Sequence, residues 1–431
     1  RTRRARRSRR RERSAAAGAP PLAPGEIYIF SQNIHGWTIV ADHHLEKEYS
    51  FRDFRTALGF VNGIGEIAER EGHHPDIVLS WGRVTVRLFT HKIDGLHEND
   101  FILAAKIDEP YRQAKAAMDA QLSERFGVPA ADLMPWHYAD PFFQRAPMIG
   151  EFDYDAPFAG RDLVDLAVRT YDDLGMDVRD ILERSDLYER EGKDQHAFCM
   201  HVDREGDVRT LCNLQPVLRW METLLHELGH GVYDKYIPQS LPWLLRTVPH
   251  ILSTEAMAML MGAQTLDPEW HVRYLGASSG QAEIIAEASA ARFRLEELIF
   301  ARWVMVVVNF ERLLYEDPSR DLDTAWWDLV QKYQRLTKPD GREKMPDWAT
   351  KYHIALVPAY YQNYLLGRMM SLQWDRWLAE HAGGIAGRRE AGDFFRERVF
   401  ELGATLHWND ALEYATGEKL NPDYFVWKFA H

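Results

Sequence analysis

The sequence predicts two structured parts of different class: a small α+β domain, with an antiparallel sheet and helices on one face, followed by a mainly α-helical domain. Two observations favour this division. Residues 25–109 contain short β-rich segments around one amphipathic helix, whereas long helical patterns dominate from residue 110 onward and β-branched runs become rare. A chain of 431 residues has room for about two to four domains, each with its own core.

The composition excludes several classes of protein. Hydrophobic residues make up 46% of the chain and charged residues 27%, which is typical of a globular protein. Two cysteines, Cys199 and Cys212, are too few for a small disulfide-built scaffold, and they are either core residues or a pair. Apolar runs stay well short of the roughly 18 residues that a membrane span requires. We therefore expect no membrane association and a cytoplasmic location.

Charge is distributed unevenly along the chain. The first 14 residues contain nine Arg and one Glu and carry +8, which leaves −21 for the rest, since the total is −13. So acidic a body predicts no nucleic-acid partner. No apolar segment of a secretory signal follows the arginines. Residues 1–24, which end in an Ala-, Pro- and Gly-rich stretch, are predicted to form a disordered tail.

Within residues 25–109, side-chain periodicity predicts the individual elements. Apolar residues recur at spacings of three and four over residues 51–71, which indicates an amphipathic helix. Val84, Val86 and Leu88 alternate with Thr85 and Arg87, as in a half-buried strand. The predicted elements are strands at 37–40, 45–49, 77–81 and 84–89, and helices at 51–71 and 103–107.

A group of histidines in this domain indicates acid–base chemistry. Two of them follow the predicted helix and one ends the last predicted strand, so they can converge on one cleft. Imidazoles titrate near neutral pH and can both deliver and accept protons. Because no cysteine or helical histidine pair accompanies them, proton transfer is favoured over metal binding. The full spacing is Glu69-x3-His73-His74-Pro75-x5-Trp81-x9-His91-x8-Asp100.

This spacing resembles the signature of the pterin-4a-carbinolamine dehydratases over residues 34–109. The resemblance implies removal of water from 4a-hydroxytetrahydropterin, a pterin carbinolamine, without a metal or other cofactor. His73, His74 and His91 would be catalytic, with one imidazolium protonating the leaving hydroxyl and one neutral imidazole taking the N5 proton. Glu69 and Asp100 would contact the substrate or orient the rings. The domain could also form a homo-oligomer, or serve only as a dimerising partner module.

The second domain contains a metal-binding pattern. His226-Glu227-Leu228-Gly229-His230 places two imidazoles on one face of a predicted helix, with Glu227 beside them as general base. A catalytic zinc requires a third protein ligand, and Glu255 lies in an apolar helical segment downstream. Helices are predicted at 112–126, 218–236, 253–266, 281–315 and 360–379, and a hairpin at 198–211.

Peptide hydrolysis also requires hydrogen-bond donors that stabilise the negatively charged carbonyl oxygen, the oxyanion, of the transition state. His353, Tyr361 and Tyr364 offer them at helical spacing. Residues 111–431 resemble the zinc peptidases related to angiotensin-converting enzyme and the oligopeptidases (peptidase families M2 and M3). The resemblance implies a peptide substrate, with zinc bound by His226, His230 and Glu255. Tyr364 would be the main oxyanion donor, with His353 and Tyr361 assisting, and the strand at 198–201 would pair with the substrate backbone.

The sequence departs from this family at two places. An Asp commonly follows the glutamate ligand by four positions, where this chain has Met259. The long helical region that precedes the equivalent of residue 111 is replaced by the dehydratase-like unit. We expect a tail at 1–24, a dehydratase-like domain at 25–109 and a peptidase-like domain at 110–431 that lacks its usual N-terminal helical part. Three hypotheses stay open: two active domains, an active dehydratase with an inactive peptidase remnant, or a non-enzymatic dimerising module.

Overall fold

The computed structural model describes residues 22, 27, 34, 37–41, 43–51, 54–71, 73–89, 110–138, 140–147 and 152–429. The chain divides into two compact units, one ending at Gln113 and the other running from Ala114 to Ala430. The first contains a small antiparallel sheet and the second is mostly helical, so the predicted fold classes are confirmed. The predicted tail, apart from Leu22, and the predicted helix at 103–107 lie outside the described residues.

The first unit is built on a four-stranded sheet. Its strands follow the order β1-β2-β4-β3, and neighbouring strands are antiparallel. The predicted strands and the first predicted helix are therefore present, with ends that differ by a few residues. The elements are β1 Thr38–Val40, β2 His44–Ser50, α1 Phe54–Glu71, β3 Asp76–Ser80 and β4 Arg83–Leu88.

One face of this sheet is covered by α1. Val84, Val86 and Leu88 on β4 are fully buried, whereas Arg87 between them is exposed, so the predicted alternation is confirmed. The apolar stripe of α1 supplies the opposite side of this core, because burying it removes apolar surface from water. The core residues shared by sheet and helix are Leu45, Ala57, Ile64, Val84, Val86 and Leu88.

The second unit is mostly helical. Within the described residues, no helix combines the length and the apolar character that crossing a bilayer requires. The strands of the second unit are β5 Phe198–His201 and β6 Val208–Leu211. The helices, counted from the one that spans the division between the units, are α2 Pro110–Phe126, α3 Leu163–Asp173, α4 Arg179–Arg184, α5 Leu218–Tyr236, α6 Ile251–Gly262, α7 Pro268–Trp270, α8 Ser279–Glu316, α9 Leu322–Gln334, α10 Tyr352–Leu356, α11 Gln362–His381, α12 Arg389–Arg398, α13 Trp408–Thr416 and α14 Asp423–Phe429.

Three helices, α5, α6 and α11, form the centre of the second unit. Every residue of α6 from Leu252 to Gly262 is buried, because α5 packs on one side of it and α11 on another. A glycine permits the close approach of α11 to α6, because a Cβ on Gly367 of α11 would lie 3.0 Å from the Cβ of Glu255. Close packing of these helices places the polar residues of α6 in the interior of the unit.

The predicted hairpin is also present. β5 and β6 pair antiparallel, with Phe198 opposite Leu211 and His201 opposite Val208. Cys212 is fully buried and Cys199 is partly buried against the same core, and both are free thiols. The two cysteines are therefore core residues, and the alternative of a bonded pair is wrong.

Candidate functional site

The three residues predicted to bind a metal lie together. His226 and His230, one turn apart on α5, each place Nε2 3.9 Å from Oε2 of Glu255 on α6. One candidate ligand atom from each residue lies within 4.8 Å of those of the other two. The two imidazole planes are nearly perpendicular, with their centroids 4.9 Å apart. Two neighbouring helices thus bring two imidazoles and one carboxylate to a single point.

The bonding of Glu255 fits a cation at that point. Its Oε1 accepts a hydrogen bond of 2.8 Å from the hydroxyl of Tyr360, but its buried Oε2 has no hydrogen-bond partner among the described residues. An unpaired buried carboxylate oxygen is costly unless a cation meets it. Burial lowers the pKa of His226 well below its usual value and that of His230 to about 4, so both rings are neutral. Neutral imidazole is the form that binds metal, and two His with one Glu are a known ligand set of catalytic zinc.

Glu227 is the general-base candidate and lies on α5 directly after His226. Its side chain is buried, and burial together with the neighbouring Glu255 carboxylate raises its pKa to about 8. A carboxylate in such surroundings binds a proton more readily than a solvated one. A raised proton affinity suits a group that accepts a proton, so Glu227 stays the candidate general base.

Two residues that contact the candidate metal ligands were not predicted from the sequence. Thr254 Oγ1 lies 2.7 Å from Nδ1 of His230, and Tyr360 bonds to Glu255 as described. A hydrogen bond at Nδ1 fixes the ring and leaves Nε2 for a metal. In the sequence, Thr254 directly precedes the predicted ligand Glu255, and this position was the signal that could have pointed to a role beside the site.

Two predicted oxyanion donors, His353 and Tyr364, lie on α10 and α11, and the third, Tyr361, directly precedes α11. His353 Nε2 is 3.4 Å from the hydroxyl of Tyr364. Burial lowers the pKa of His353 to about 4, so its ring is neutral. Burial and then the Glu255 carboxylate hold the pKa of Tyr364 above its usual range, which keeps the phenol protonated. Both groups can therefore donate a hydrogen bond to developing negative charge.

Tyr361 faces a different set of partners from Tyr364. Its hydroxyl accepts a hydrogen bond of 2.7 Å from Trp303 Nε1 and donates one of 3.3 Å to Gln144 Oε1. Gln144 also accepts from the ammonium of Lys351 at 3.0 Å. Tyr364 thus lies beside Tyr360, the partner of Glu255, with their ring centroids 5.2 Å apart, whereas the hydroxyl of Tyr361 bonds to Trp303 and Gln144.

Lys351 was also not singled out by the sequence, although it lies two residues before His353. It is 8% exposed, and its Nζ lies within 6 Å of the ring centroids of Phe142, Trp303 and Tyr361. Burial lowers the pKa of Lys351 to about 8. Its ammonium donates to the neutral amide of Gln144, and among the described residues it makes no ion pair with a carboxylate.

In the first unit the structure describes part of the predicted histidine group. His73 and His74 follow α1, and His74 Nε2 lies 3.1 Å from Oε1 of Glu69 in the last turn of that helix. His74 and Glu69 are exposed, whereas His73 is half-buried and its backbone N–H donates to the carbonyl of Ala68. The other two members of the predicted group, His91 and Asp100, lie outside the described residues.

Comparison with known families assigns a different family to each part of the chain. The profile described as Pterin 4 alpha carbinolamine dehydratase matches residues 20–110. The profile described as Peptidase family M3 matches residues 178–430, more than half of the chain, and this range contains the candidate metal ligands and the His353–Tyr364 pair.

Curated relatives match the first part of the chain. A protein of Alkaliphilus metalliredigens is 54% identical over 93 residues, 21% of this chain and 84% of the relative. A protein of Rubrobacter xylanophilus is 52% identical over 91 residues, 21% of this chain and 85% of the relative. Both carry the provisional name pterin-4-alpha-carbinolamine dehydratase. Over its first quarter the chain therefore belongs to the pterin 4 alpha carbinolamine dehydratase family, and over its C-terminal part to peptidase family M3.

Proposed function

We propose that the chain has two enzymatic parts, a pterin carbinolamine dehydratase in residues 25–109 and a zinc-dependent peptidase in residues 110–431. The observation that carries the second activity is the buried group of His226, His230 and Glu255, in which Oε2 of Glu255 has no bonded partner. An unpaired buried carboxylate oxygen beside two imidazoles is costly without a cation, which supports a metal function. Peptides are the substrate class that membership of the M3 family supports.

The residues around the metal position suit hydrolysis of a peptide bond. A zinc ion bound by His226, His230 and Glu255 would act as a Lewis acid towards the peptide carbonyl. Glu227 takes one proton from the attacking water and returns it to the departing amine, so that the hydroxyl oxygen ends on the new carboxyl group. Tyr364 and His353 donate hydrogen bonds to the carbonyl oxygen as it gains negative charge.

The hairpin offers a surface for the substrate backbone. Among the described residues, β5 has a strand partner, β6, on one side only. A free strand edge presents unpaired N–H and C=O groups that bind an extended peptide by strand addition. We propose that the substrate pairs with Phe198–His201, as the sequence resemblance implies.

For the first unit, the names of the curated relatives and the Glu69–His74 contact support dehydration of a pterin carbinolamine. We assign the proton transfers to His73, His74 and His91, and the positioning of rings or substrate to Glu69 and Asp100. No metal takes part in this proposed reaction. A homo-oligomer formed through this unit is part of the same proposal.

One experiment separates the two activities. The purified full chain is assayed for dehydration of 4a-hydroxytetrahydropterin and for cleavage of a fluorogenic peptide library, with and without a zinc chelator. We expect the chelator to abolish peptide cleavage and to leave dehydration unchanged. Bound zinc should be about one per chain and lost in Glu255→Ala. A zinc-free chain without peptidase activity would leave only the dehydratase, and absence of turnover of the carbinolamine would favour the dimerising module.

A further inference from the structure

Glu311, on the last turns of α8, is a buried acidic residue that the proposed mechanism does not use. Its side chain is 4% exposed. Its Oε1 accepts two hydrogen bonds, each of 2.9 Å, from the backbone N–H of Ala359 and from the hydroxyl of Tyr315. Among the described residues it makes no ion pair with Lys, Arg or His. Burying a carboxyl group without a cationic partner costs free energy, which the two hydrogen bonds from neutral donors offset only in part.

The conformation that Glu311 holds is unusual. Ala359 has a φ of +54°, in the left-handed region that residues with a Cβ rarely adopt. It lies in the short connection between α10 and α11, and the next residue is Tyr360. The bond from the Ala359 N–H to Glu311 therefore stabilises a strained backbone directly before the tyrosine that contacts a metal ligand.

The same helix fixes the connection at a second point. Trp303, about two turns before Glu311 on α8, donates from Nε1 to the hydroxyl of Tyr361 at 2.7 Å. α8 thus holds the residue before Tyr360 through Glu311 and the residue after it through Trp303. Between these two anchors, the hydroxyl of Tyr360 donates to Oε1 of Glu255 at 2.8 Å.

We propose that Glu311 is a positioning residue for the metal centre. By holding Ala359 it sets the direction of the Tyr360 side chain, and Tyr360 in turn orients the Glu255 carboxylate so that Oε2 faces His226 and His230. The inference rests on the proposed zinc function of the second unit. It adds a connection from α8 to the proposed third ligand on α6: Glu311 bonds to the N–H of Ala359, and the next residue, Tyr360, bonds to Glu255.

The test measures zinc affinity of the full chain by competition with a chromophoric chelator, so it does not depend on peptidase activity. Groups that orient metal ligands typically contribute 10- to 100-fold to affinity. We expect Glu311→Ala and Tyr360→Phe each to weaken zinc binding about 10-fold. Glu311→Gln keeps an oxygen that can accept both bonds and should remain within about 3-fold of the parent. The double variant Glu311→Ala/Tyr360→Phe should be no weaker than Tyr360→Phe alone, because both changes break one connection.

Two further variants make the result specific. Tyr315→Phe removes the other donor to Glu311 without touching the connection, and it should leave zinc affinity unchanged. Glu311→Ala/Ala359→Gly should recover affinity, since glycine adopts positive φ without an anchor; this variant also serves if Glu311→Ala folds poorly. Parental affinity in Glu311→Ala, or losses that multiply in the double variant, would overturn the positioning role while leaving the zinc site intact. A parent chain that binds no zinc would overturn the proposed function as well.

Discussion

Gly229 on α5 lies so close to Ala258 on α6 that a Cβ added to it would be 2.8 Å from the Cα of Ala258. The obstructing atom is backbone and cannot rotate away. Gly229 is part of the His226–His230 segment, and Ala258 lies about one turn after Glu255 on its own helix. The separation of α5 and α6, and with it the distance from the two imidazoles to the carboxylate, is therefore set by a residue without a side chain.

We predict that Gly229→Ala disrupts the metal centre. The added methyl group must push α6 away from α5, which displaces Glu255 from the histidines. Overpacking of this kind typically costs about 1–3 kcal/mol of the free energy of unfolding. We expect a lower melting temperature and zinc content below half of the parental value, measured by calorimetry and by elemental analysis of the purified chain.

Gly231→Ala is the matched control for that prediction. A Cβ at Gly231 would lie 3.1 Å from Cδ1 of Ile181, the end of a flexible side chain that can move. This variant should retain zinc and lose less stability than Gly229→Ala. Equal zinc content in the two variants would show that the close approach of α5 and α6 does not determine the metal geometry.

A second prediction concerns Thr254, whose Oγ1 lies 2.7 Å from Nδ1 of His230. Thr254→Val replaces the hydroxyl with a methyl group of similar shape and leaves Nδ1 without its partner. Zinc affinity should fall about 10-fold, because the ring loses the bond that fixes its tautomer and orientation. Thr254→Ser keeps the hydroxyl and should bind zinc like the parent in the same chelator competition. If the Thr254→Val and Thr254→Ser variants bind zinc with similar affinity, Thr254 does not orient His230.

Local patterns in the sequence were sufficient for much of the fold. The stretch 218–236 was predicted as a helix and is α5, and the alternation around Val86 correctly gave a strand with one buried face. The helix predicted at 253–266 is α6 followed by a 3-10 turn at Ala263–Leu266. Periodicity reports which face of an element is buried, but the ends depend on caps and on contacts from distant segments.

That the three candidate ligands lie together could also be predicted from the sequence, because His226 and His230 are one helical turn apart and Glu255 is conspicuous among apolar neighbours. The surrounding residues were not accessible. Gln144 bonds to Lys351 across more than 200 positions of the chain, and Tyr360 rather than Tyr361 contacts Glu255. Such contacts follow from how helices pack, and spacing along the chain carries no information about them.

A third prediction concerns the pH dependence of stability at Lys351. Burial lowers the pKa of Lys351 from 10.5 to about 8 in the folded chain. Between these pH values the unfolded chain retains the proton and the folded chain releases it, so the free energy of unfolding rises with pH in this window. At pH 7 both states are charged, and the folded state carries the full cost of the buried ammonium. Lys351→Met should therefore raise the free energy of unfolding at pH 7 by up to about 3 kcal/mol.

Urea denaturation of parent and Lys351→Met at pH 7 and at pH 9.5 measures this effect, and the difference between them should shrink at the higher pH. Lys193→Met is the contrasting control. Lys193 is buried as well, but its Nζ donates to the carboxylate of Asp186 and to the carbonyls of Asp186, Tyr188 and Cys212. Removing that ammonium in Lys193→Met should lower the free energy of unfolding by about 2–4 kcal/mol. Destabilisation of the Lys351 variant at pH 7 would contradict the prediction.

The last prediction addresses the transition state of peptide hydrolysis. Tyr364→Phe removes the hydroxyl that lies 3.4 Å from His353 Nε2 and keeps the ring. A donor that acts on the developing oxyanion stabilises the transition state more than the bound substrate. The kcat for a fluorogenic peptide should therefore fall about 100-fold or more, while KM and bound zinc change little. Tyr414→Phe, at an exposed tyrosine on α13, should match the parent in all three quantities. A rise in KM at constant kcat would assign Tyr364 to substrate binding, because such a change removes an interaction that ground state and transition state share.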